Sequence, residues 1–243
     1  MYAWRARLGI MIPSSNVTME QELYRMAPNG VSIHTGRMVS IGCNADDLRK
    51  MDEAMEPCAE LVGHAEPDVL LFGCTSGSFL GGAGWEENIR QRIHAVVPNT
   101  IPCTTTDAIL NALKLYQSKK ITIVNPYVDE VSTMETGYFK SAGYDVVSEY
   151  NMGYRLGRDI FSVIPGKTYR ICRQAVRADT ELLFISCTNL RTIEIIEPLE
   201  QDLGIPVITS NQASMWEMLQ LAGLSTEQIR GYGSLFQKTM PKN

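Results

Sequence analysis

The chain has 243 residues, 44% of them apolar and 20% charged, which supports a buried core and excludes a disordered or fibrous chain. Lys and Arg total 22 against 27 Asp and Glu, a formal charge of −5, and without a basic block the footprint of a nucleic-acid or anionic-membrane partner is missing. Apolar stretches such as Val69–Phe72 and Leu182–Ile185 fall far short of the ~20 residues of a membrane helix, and Met1–Ile12 is too short for a signal peptide, so a cytoplasmic protein is expected.

Runs rich in Val, Ile and Leu alternate with stretches of helical period. Leu8–Ile12, Val31–His34, Val69–Phe72 and Ile101–Cys103 read as strands, and strands separated by helices imply a parallel sheet covered on both faces. Between them, Val17–Met26 follows Asn16 as a possible cap, and Ala45–His64 carries Leu48, Met51, Met55, Leu61 and Val62 at helical spacing. The second half repeats the order, with strands at Ile121–Val124, Tyr144–Val147, Leu182–Ile185 and Ile205–Ile208. Pro13 and Pro126 are 113 residues apart, and the same offset links Gly30 to Gly143 and Cys74 to Cys187. A constant offset at three landmarks is the signature of duplication. The reading is an α/β fold of two pseudo-symmetric Rossmann-like lobes, each with a four-stranded mostly parallel sheet. Residues 1–104 plus 212–243 are assigned to the first lobe and 105–211 to the second. The offset drops to 104 at Ile101-Pro102 and Ile205-Pro206, so the first lobe holds nine extra residues after its cysteine, including the loop Gly81–Gly84. That Gly cluster lacks the spacing of a dinucleotide fingerprint.

Six cysteines, at 43, 58, 74, 103, 172 and 187, are too sparse for a disulfide scaffold, and without a Cys-x-x-Cys pair they give a metal site no support. Cys58 and Cys172 lie mid-helix, Cys103 within a strand and Cys43 in a loop, all consistent with packing. Cys74 and Cys187 each follow a buried-strand pattern, at the carboxyl end of a parallel strand, where α/β sheets bind ligands. The two thiols are therefore expected to face one active site in the interlobe cleft. Helices following each cysteine would aim backbone N–H groups at the turn, lowering the thiol pKa and favouring a bound carboxylate.

Pro13-Ser14-Ser15-Asn16 with Thr18, Met19 and Glu20, then Gly73-Cys74-Thr75-Ser76-Gly77-Ser78, Pro126-Tyr127-Val128-Asp129, Ser186-Cys187-Thr188-Asn189 and Gly231-Tyr232-Gly233 together carry a resemblance. Over nearly the whole length, the chain resembles the maleate cis-trans isomerase and arylmalonate decarboxylase branch of the aspartate/glutamate racemase superfamily. Amino-acid racemases open with an Asp-Ser-Gly segment, whereas Pro13-Ser-Ser-Asn16 is the maleate isomerase form. The decarboxylases keep only the second cysteine, and this chain has both. The resemblance implies that Cys74 adds to the alkene of a cis-dicarboxylate, that Cys187 serves as acid or base, and that no cofactor is needed. It places Ser15, Asn16, Thr75, Ser76, Tyr127, Thr188 and Asn189 around the carboxylates of a small substrate, and implies a homodimer. One departure falls at Asn151-Met-Gly-Tyr-Arg155-Leu-Gly-Arg158, where the isomerases carry an asparagine for the second carboxylate; Arg155 is the candidate replacement here.

Simpler roles stand beside these. Ser15 and Asn16 suit a helix cap, Asp129 the cap of the next helix, and Tyr232 a tail on the first lobe. The second reading of two thiols in a cleft is a two-base racemase or epimerase of an amino acid or amino acid derivative. A non-catalytic small-molecule binder has the two Cys-Thr strand ends against it, and a decarboxylase is least favoured because Cys74 would place a second proton source on the wrong face.

Overall fold

The computed structural model describes residues 2–42 and 44–240; Cys43, assigned to a loop above, lies outside the described residues. The first half runs β1 (Ala6–Pro13), α1 (Met19–Met26), β2 (Val31–Met38), α2 (Ala45–Glu53), α3 (Met55–Gly63), β3 (Val69–Phe72), α4 (Thr75–Phe79), α5 (Trp85–Val96) and β4 (Ile101–Thr104). After α6 (Thr105–Tyr116) come β5 (Lys120–Asn125), α7 (Asp129–Ser141), β6 (Asp145–Asn151), α8 (Gly157–Phe161), α9 (Pro165–Ala175), β7 (Leu182–Ile185), α10 (Ile196–Leu203), β8 (Val207–Thr209) and α11 (Ser210–Leu221). The two sheets have equivalent orders, β2-β1-β3-β4 and β6-β5-β7-β8, and every pairing is parallel.

The central strands are runs of uninterrupted apolar residues, and both β3 and β7 are buried along their whole length, as helices on both faces of a parallel sheet demand. The edge strands β2 and β6 extend beyond the expected Val31–His34 and Tyr144–Val147, because their outer halves, Thr35–Met38 and Ser148–Asn151, are polar or half-exposed and carry no apolar run. The single helix expected over Ala45–His64 is two helices meeting at Ala54. In a continuous helix the Pro57 ring would strike the carbonyl of Glu53, four residues earlier; the chain breaks there and seats Pro57 in the first turn of α3, where no N–H is needed. Leu48, Met51, Met55, Cys58 and Val62 still share one core.

The excess length of the first lobe is α4 with the turn that leads into α5. In the second lobe the segment after β7 stays irregular until α10. The last strand of each sheet runs directly into a helix through the same device, a capping box: Thr104 with Asp107 on α6, and Thr209 with Gln212 on α11. These helices pack together across the lobe boundary. Helix α11 is buried on all sides from Ser210 to Leu219, the pattern of a helix enclosed by protein. The tail touches both halves: the Tyr232 hydroxyl donates to the Arg25 carbonyl on α1 at 2.9 Å, while the Ser234 N–H and hydroxyl donate to Glu200 on α10 at 2.8 and 2.9 Å. Cys74 belongs to the core on the outer face of the first sheet and Cys187 to the larger core that runs through both lobes, so the two thiols meet where the cores meet.

Candidate active site

The carboxyl ends of β1, β3, β5 and β7 converge on a small cavity of about 30 Å³ between the lobes. Each strand contributes residues at or just past its end: Pro13, Ser15 and Asn16 from β1, Cys74 to Ser76 after β3, Tyr127 after β5 and Cys187 to Asn189 after β7. The structure thus brings together all the residues singled out above except Arg155, whose side chain is exposed and outside the cavity lining. Its neighbour segment approaches by backbone instead. Leu156 bridges Gly42, the Gly157 N–H donates to the Ile41 carbonyl at 3.2 Å, and Gly157 itself lines the cavity. A Cβ at Gly157 would come within 2.6 Å of the Ser15 Oγ, so glycine is required for that approach. Asn151 turns away to donate to Asp129 at 2.7 Å. Asp129 makes no cap; helix α7 starts from Val128 without a side-chain cap. Ser40, Gly42, Leu48 and Gly157 complete the lining. A larger hollow of about 600 Å³, lined by Arg7, Glu60, His64 and Asp68 among others, lies at the opposite, amino ends of β1 and β3 and holds no thiol.

Among the described residues, neutral groups alone line the cavity. Asn16 spans the lobes: its Oδ1 accepts from the Thr18 and Met19 N–H groups at 3.0 Å each, fixing the turn that enters α1, while its Nδ2 donates to the Thr188 Oγ1 at 3.0 Å. The N-cap position itself is Thr18, not the expected Asn16. Thr188 passes the contact on to the Gly73 carbonyl at 3.3 Å. Asn189 is fixed from three sides, accepting from the Val17 N–H at 3.0 Å, donating to the Gly157 carbonyl at 3.0 Å and offering its own carbonyl to the Thr18 hydroxyl at 2.8 Å.

The two cysteines differ in backbone despite their equivalent positions. Cys74 is extended, φ −142°, and caps α4, its Sγ accepting from the Gly77 N–H at 3.4 Å and lying 3.7 Å from the Ser76 Oγ. Cys187 has φ +98°, a conformation that costs a residue with a Cβ on the order of 1–2 kcal/mol. Three contacts hold it there: its N–H donates to the Ser210 Oγ at 3.0 Å, its carbonyl accepts from Leu190, and its Sγ accepts from the Asn189 N–H at 3.4 Å. Ser210 also accepts from the Thr75 hydroxyl at 2.9 Å, so one side chain ties the residue after Cys74 to the backbone of Cys187. Sequence reasoning missed Ser210 and Gly157; only the strand-to-helix turn before Ser210 hinted at the first.

Burial pushes the Cys74 thiol up, opposed by hydrogen bonds from Gly77 and Ser76. It pushes Cys187 up to about 12, opposed by Asn189 and Tyr127 and reinforced by the charge of Cys74 and Glu135. The expected lowering by helix termini does not occur, because α4 is only five residues long and no helix begins after Cys187 before Ile196, so desolvation dominates. The consequence is an ordered pair: a charge on Cys74 keeps Cys187 protonated.

A family model described as arylmalonate decarboxylase matches residues 8–236. A maleate isomerase of Geobacillus stearothermophilus is 23% identical over 94% of this chain and 96% of its own, and an arylmalonate decarboxylase of Bordetella bronchiseptica is 27% identical over 70% and 71%. Among solved structures, a cysteine-to-serine mutant of the Nocardia farcinica maleate cis-trans isomerase, with a covalently bound succinylcysteine intermediate, superposes with a TM-score of 0.92 at 20% identity, covering 96% of this chain and 99% of that one. With that model spanning residues 8–236, from the first strand into the tail, the chain belongs to the arylmalonate decarboxylase family.

Proposed function

We propose that the protein isomerises maleate, or a closely related small cis-dicarboxylate, through a covalent adduct on Cys74. The observation that carries this reading is the pair of thiols, one from each lobe, lining a single cavity whose other groups are neutral donors. The steps balance within the pair. The Cys74 thiolate forms a bond to one alkene carbon while the π electrons move toward the neighbouring carbon, and the Cys187 thiol gives that carbon its proton. Rotation about the new single bond follows. Cys187 then takes the proton back, the sulfur–carbon bond breaks, and its electrons re-form the alkene in the trans geometry. No electron or proton is left over, so no cofactor is consumed. Negative charge that builds on the carboxylate during addition is met by donors of Asn16, Ser76, Tyr127 and Asn189 and by backbone N–H groups of the rim; the Thr75 and Thr188 hydroxyls already donate to Ser210 and to the Gly73 carbonyl and hold that rim in place.

A racemase of a free amino acid is disfavoured because, among the described residues, no acidic side chain lines the cavity to receive an ammonium group. The exposed position of the Arg155 side chain, outside the cavity lining, speaks against the expected role on the second carboxylate. Ser15, Ser40 and the backbone around Gly157 are the groups available to that carboxylate. Among the described residues no helix is long and apolar enough to cross a membrane. A homodimer, a cytoplasmic location and a division into lobes at 1–104 plus 212–243 and 105–211 complete the proposal, the last supported by the Tyr232 contact to α1.

The test is turnover of maleate followed by proton NMR, with mass spectrometry of the intact protein. The wild-type chain converts maleate to fumarate, Cys74→Ala does not, and Cys187→Ser accumulates an adduct of one maleate on Cys74. Unimpaired turnover in Cys74→Ala would sink the covalent route.

A further inference from the structure

Glu22 on α1 is buried, lies outside the cavity lining and has no part in the steps above. A carboxylate offers about four lone-pair sites, and here all of them are taken by groups far from α1 in sequence. Thr192 and Ile193 donate to Oε1 through their N–H groups at 2.7 and 3.3 Å, while the Asn211 Nδ2 and the Thr192 hydroxyl donate to Oε2 at 2.7 and 3.4 Å. No basic side chain among the described residues pairs with it; Arg25, on the same helix, is taken by Glu194.

The Asn211 Nδ2 donates a second time, to the Thr188 carbonyl at 3.0 Å, whereas the Asn211 Oδ1 is buried and accepts nothing among the described residues. A buried acceptor left without a donor is rare and has a cause. Turning the amide over would bring no relief, because it would set that oxygen against the Glu22 carboxylate and the Thr188 carbonyl, three acceptors with no proton among them. The carboxylate therefore dictates which way the amide faces.

Thr188 follows Cys187 on the cavity rim, and Asn211 follows Ser210, the residue that holds the Cys187 N–H. We infer that Glu22 fixes the orientation of the Asn211 amide, through it the Thr188 carbonyl, and so acts as a positioning residue for the loop that carries Cys187. The loop needs such an anchor because no helix begins before Ile196 to satisfy its backbone, and the same carboxylate grips its far end at Thr192 and Ile193. The bearing on catalysis rests on the proton-transfer role of Cys187 in the proposed reaction.

The test reads the two thiols without substrate. Alkylation by iodoacetamide is followed at each cysteine by peptide mass spectrometry. Burial pushes the Glu22 carboxyl up to about 7, so the reaction is run at about pH 8.5, where the carboxylate prevails. In Glu22→Gln the amide oxygen keeps Thr192 and Ile193, but the amide nitrogen meets the Asn211 Nδ2, donor against donor; reversing the Gln amide would oppose two backbone N–H groups instead. The Asn211 amide then turns, and its donor leaves the Thr188 carbonyl. Cys187 is expected to react about fivefold faster, the easier opening that the loss of one hydrogen bond allows. Cys74, whose sulfur is held by Gly77 and Ser76 within α4, is expected to keep its rate. General loosening would speed both thiols alike, so the ratio of the two rates is the readout.

Asn211→Ala is expected to raise that ratio by a similar factor, and it carries the test if Glu22→Gln fails to fold. In the Asn211→Ala background Glu22→Gln should add little, since both act through one contact. An unchanged ratio in either single variant, or an effect of Glu22→Gln undiminished by Asn211→Ala, would overturn the inference. Failure of the wild-type chain to convert maleate would overturn the proposed reaction and leave the thiol ratio to decide the role of Glu22 by itself.

Discussion

Replacing Ser210 by Ala removes one oxygen that serves two donors from different lobes, the Thr75 hydroxyl at 2.9 Å and the Cys187 N–H at 3.0 Å. Ser210, Thr75 and Cys187 are all buried, and a buried donor left unmade costs about 1–3 kcal/mol. The Thr75 hydroxyl can rotate to recover part of its loss; the Cys187 N–H cannot, because its direction is set by the backbone at φ +98°. The expected destabilisation is roughly 2–4 kcal/mol, the sum of one full and one partial loss. In a domain of this size each kcal/mol moves Tm by roughly 2–4 °C, so calorimetry should record a fall of about 4 to 16 °C by the same scaling. Turnover should suffer further, since both cysteines lose a shared restraint and a displacement of about 1 Å at a reacting atom costs on the order of a hundredfold. A Ser210→Ala protein that melts with the wild type and turns over maleate at an undiminished kcat would refute the bridging role.

Cys187→Ala and Cys187→Gly delete the same thiol, but only glycine relaxes at φ +98°. The Gly variant should be the more stable by about 1–2 kcal/mol, and an Ala variant that melts at or above it would contradict the strain. Glu22, Glu135 and Glu217 are held by burial at about 7, about 8 and about 7, against 4.5 in the unfolded chain. The folded state then binds more protons than the unfolded one between those values, so stability is greatest on the acid side and declines as pH rises toward 8. Melting scans should show Tm climbing as pH is lowered from about 8 to about 5. Glu217→Gln, which can keep the Asn111 contact at 2.9 Å, should flatten that slope; a Tm that falls over the same interval would reverse the assignment.

The repeat and the central strands were legible because they rest on local pattern: four-residue apolar runs and a constant offset need no knowledge of distant partners. The cavity followed from them, since residues just past the carboxyl ends of parallel strands must share a rim. What escaped depends on contacts far apart in sequence. Thr75 and Ser210 are 135 positions apart, and Ser186 and Glu135 51, so neither pairing leaves a trace in spacing. The left-handed backbone at Cys187 escaped for a different reason, because positive φ announces itself in sequence through glycine and here the residue is a cysteine. The pKa expectation failed on magnitude: a helix terminus contributes a fraction of what complete burial takes away. The half-exposed outer parts of β2 and β6 and the break at Ala54 show the limits of apolar periodicity at sheet edges and next to proline.

The small cavity also bears on what else could happen to an alkene inside it. A space of about 30 Å³ has room for a water or two, so a four-carbon diacid enters only as the cleft widens. In the proposed reaction water is the competing nucleophile for its two central carbons, and its addition would yield a hydroxy diacid instead of the trans alkene. A substitution that loosened the seam between Gly42 and Gly157 is therefore expected to show in the product mixture.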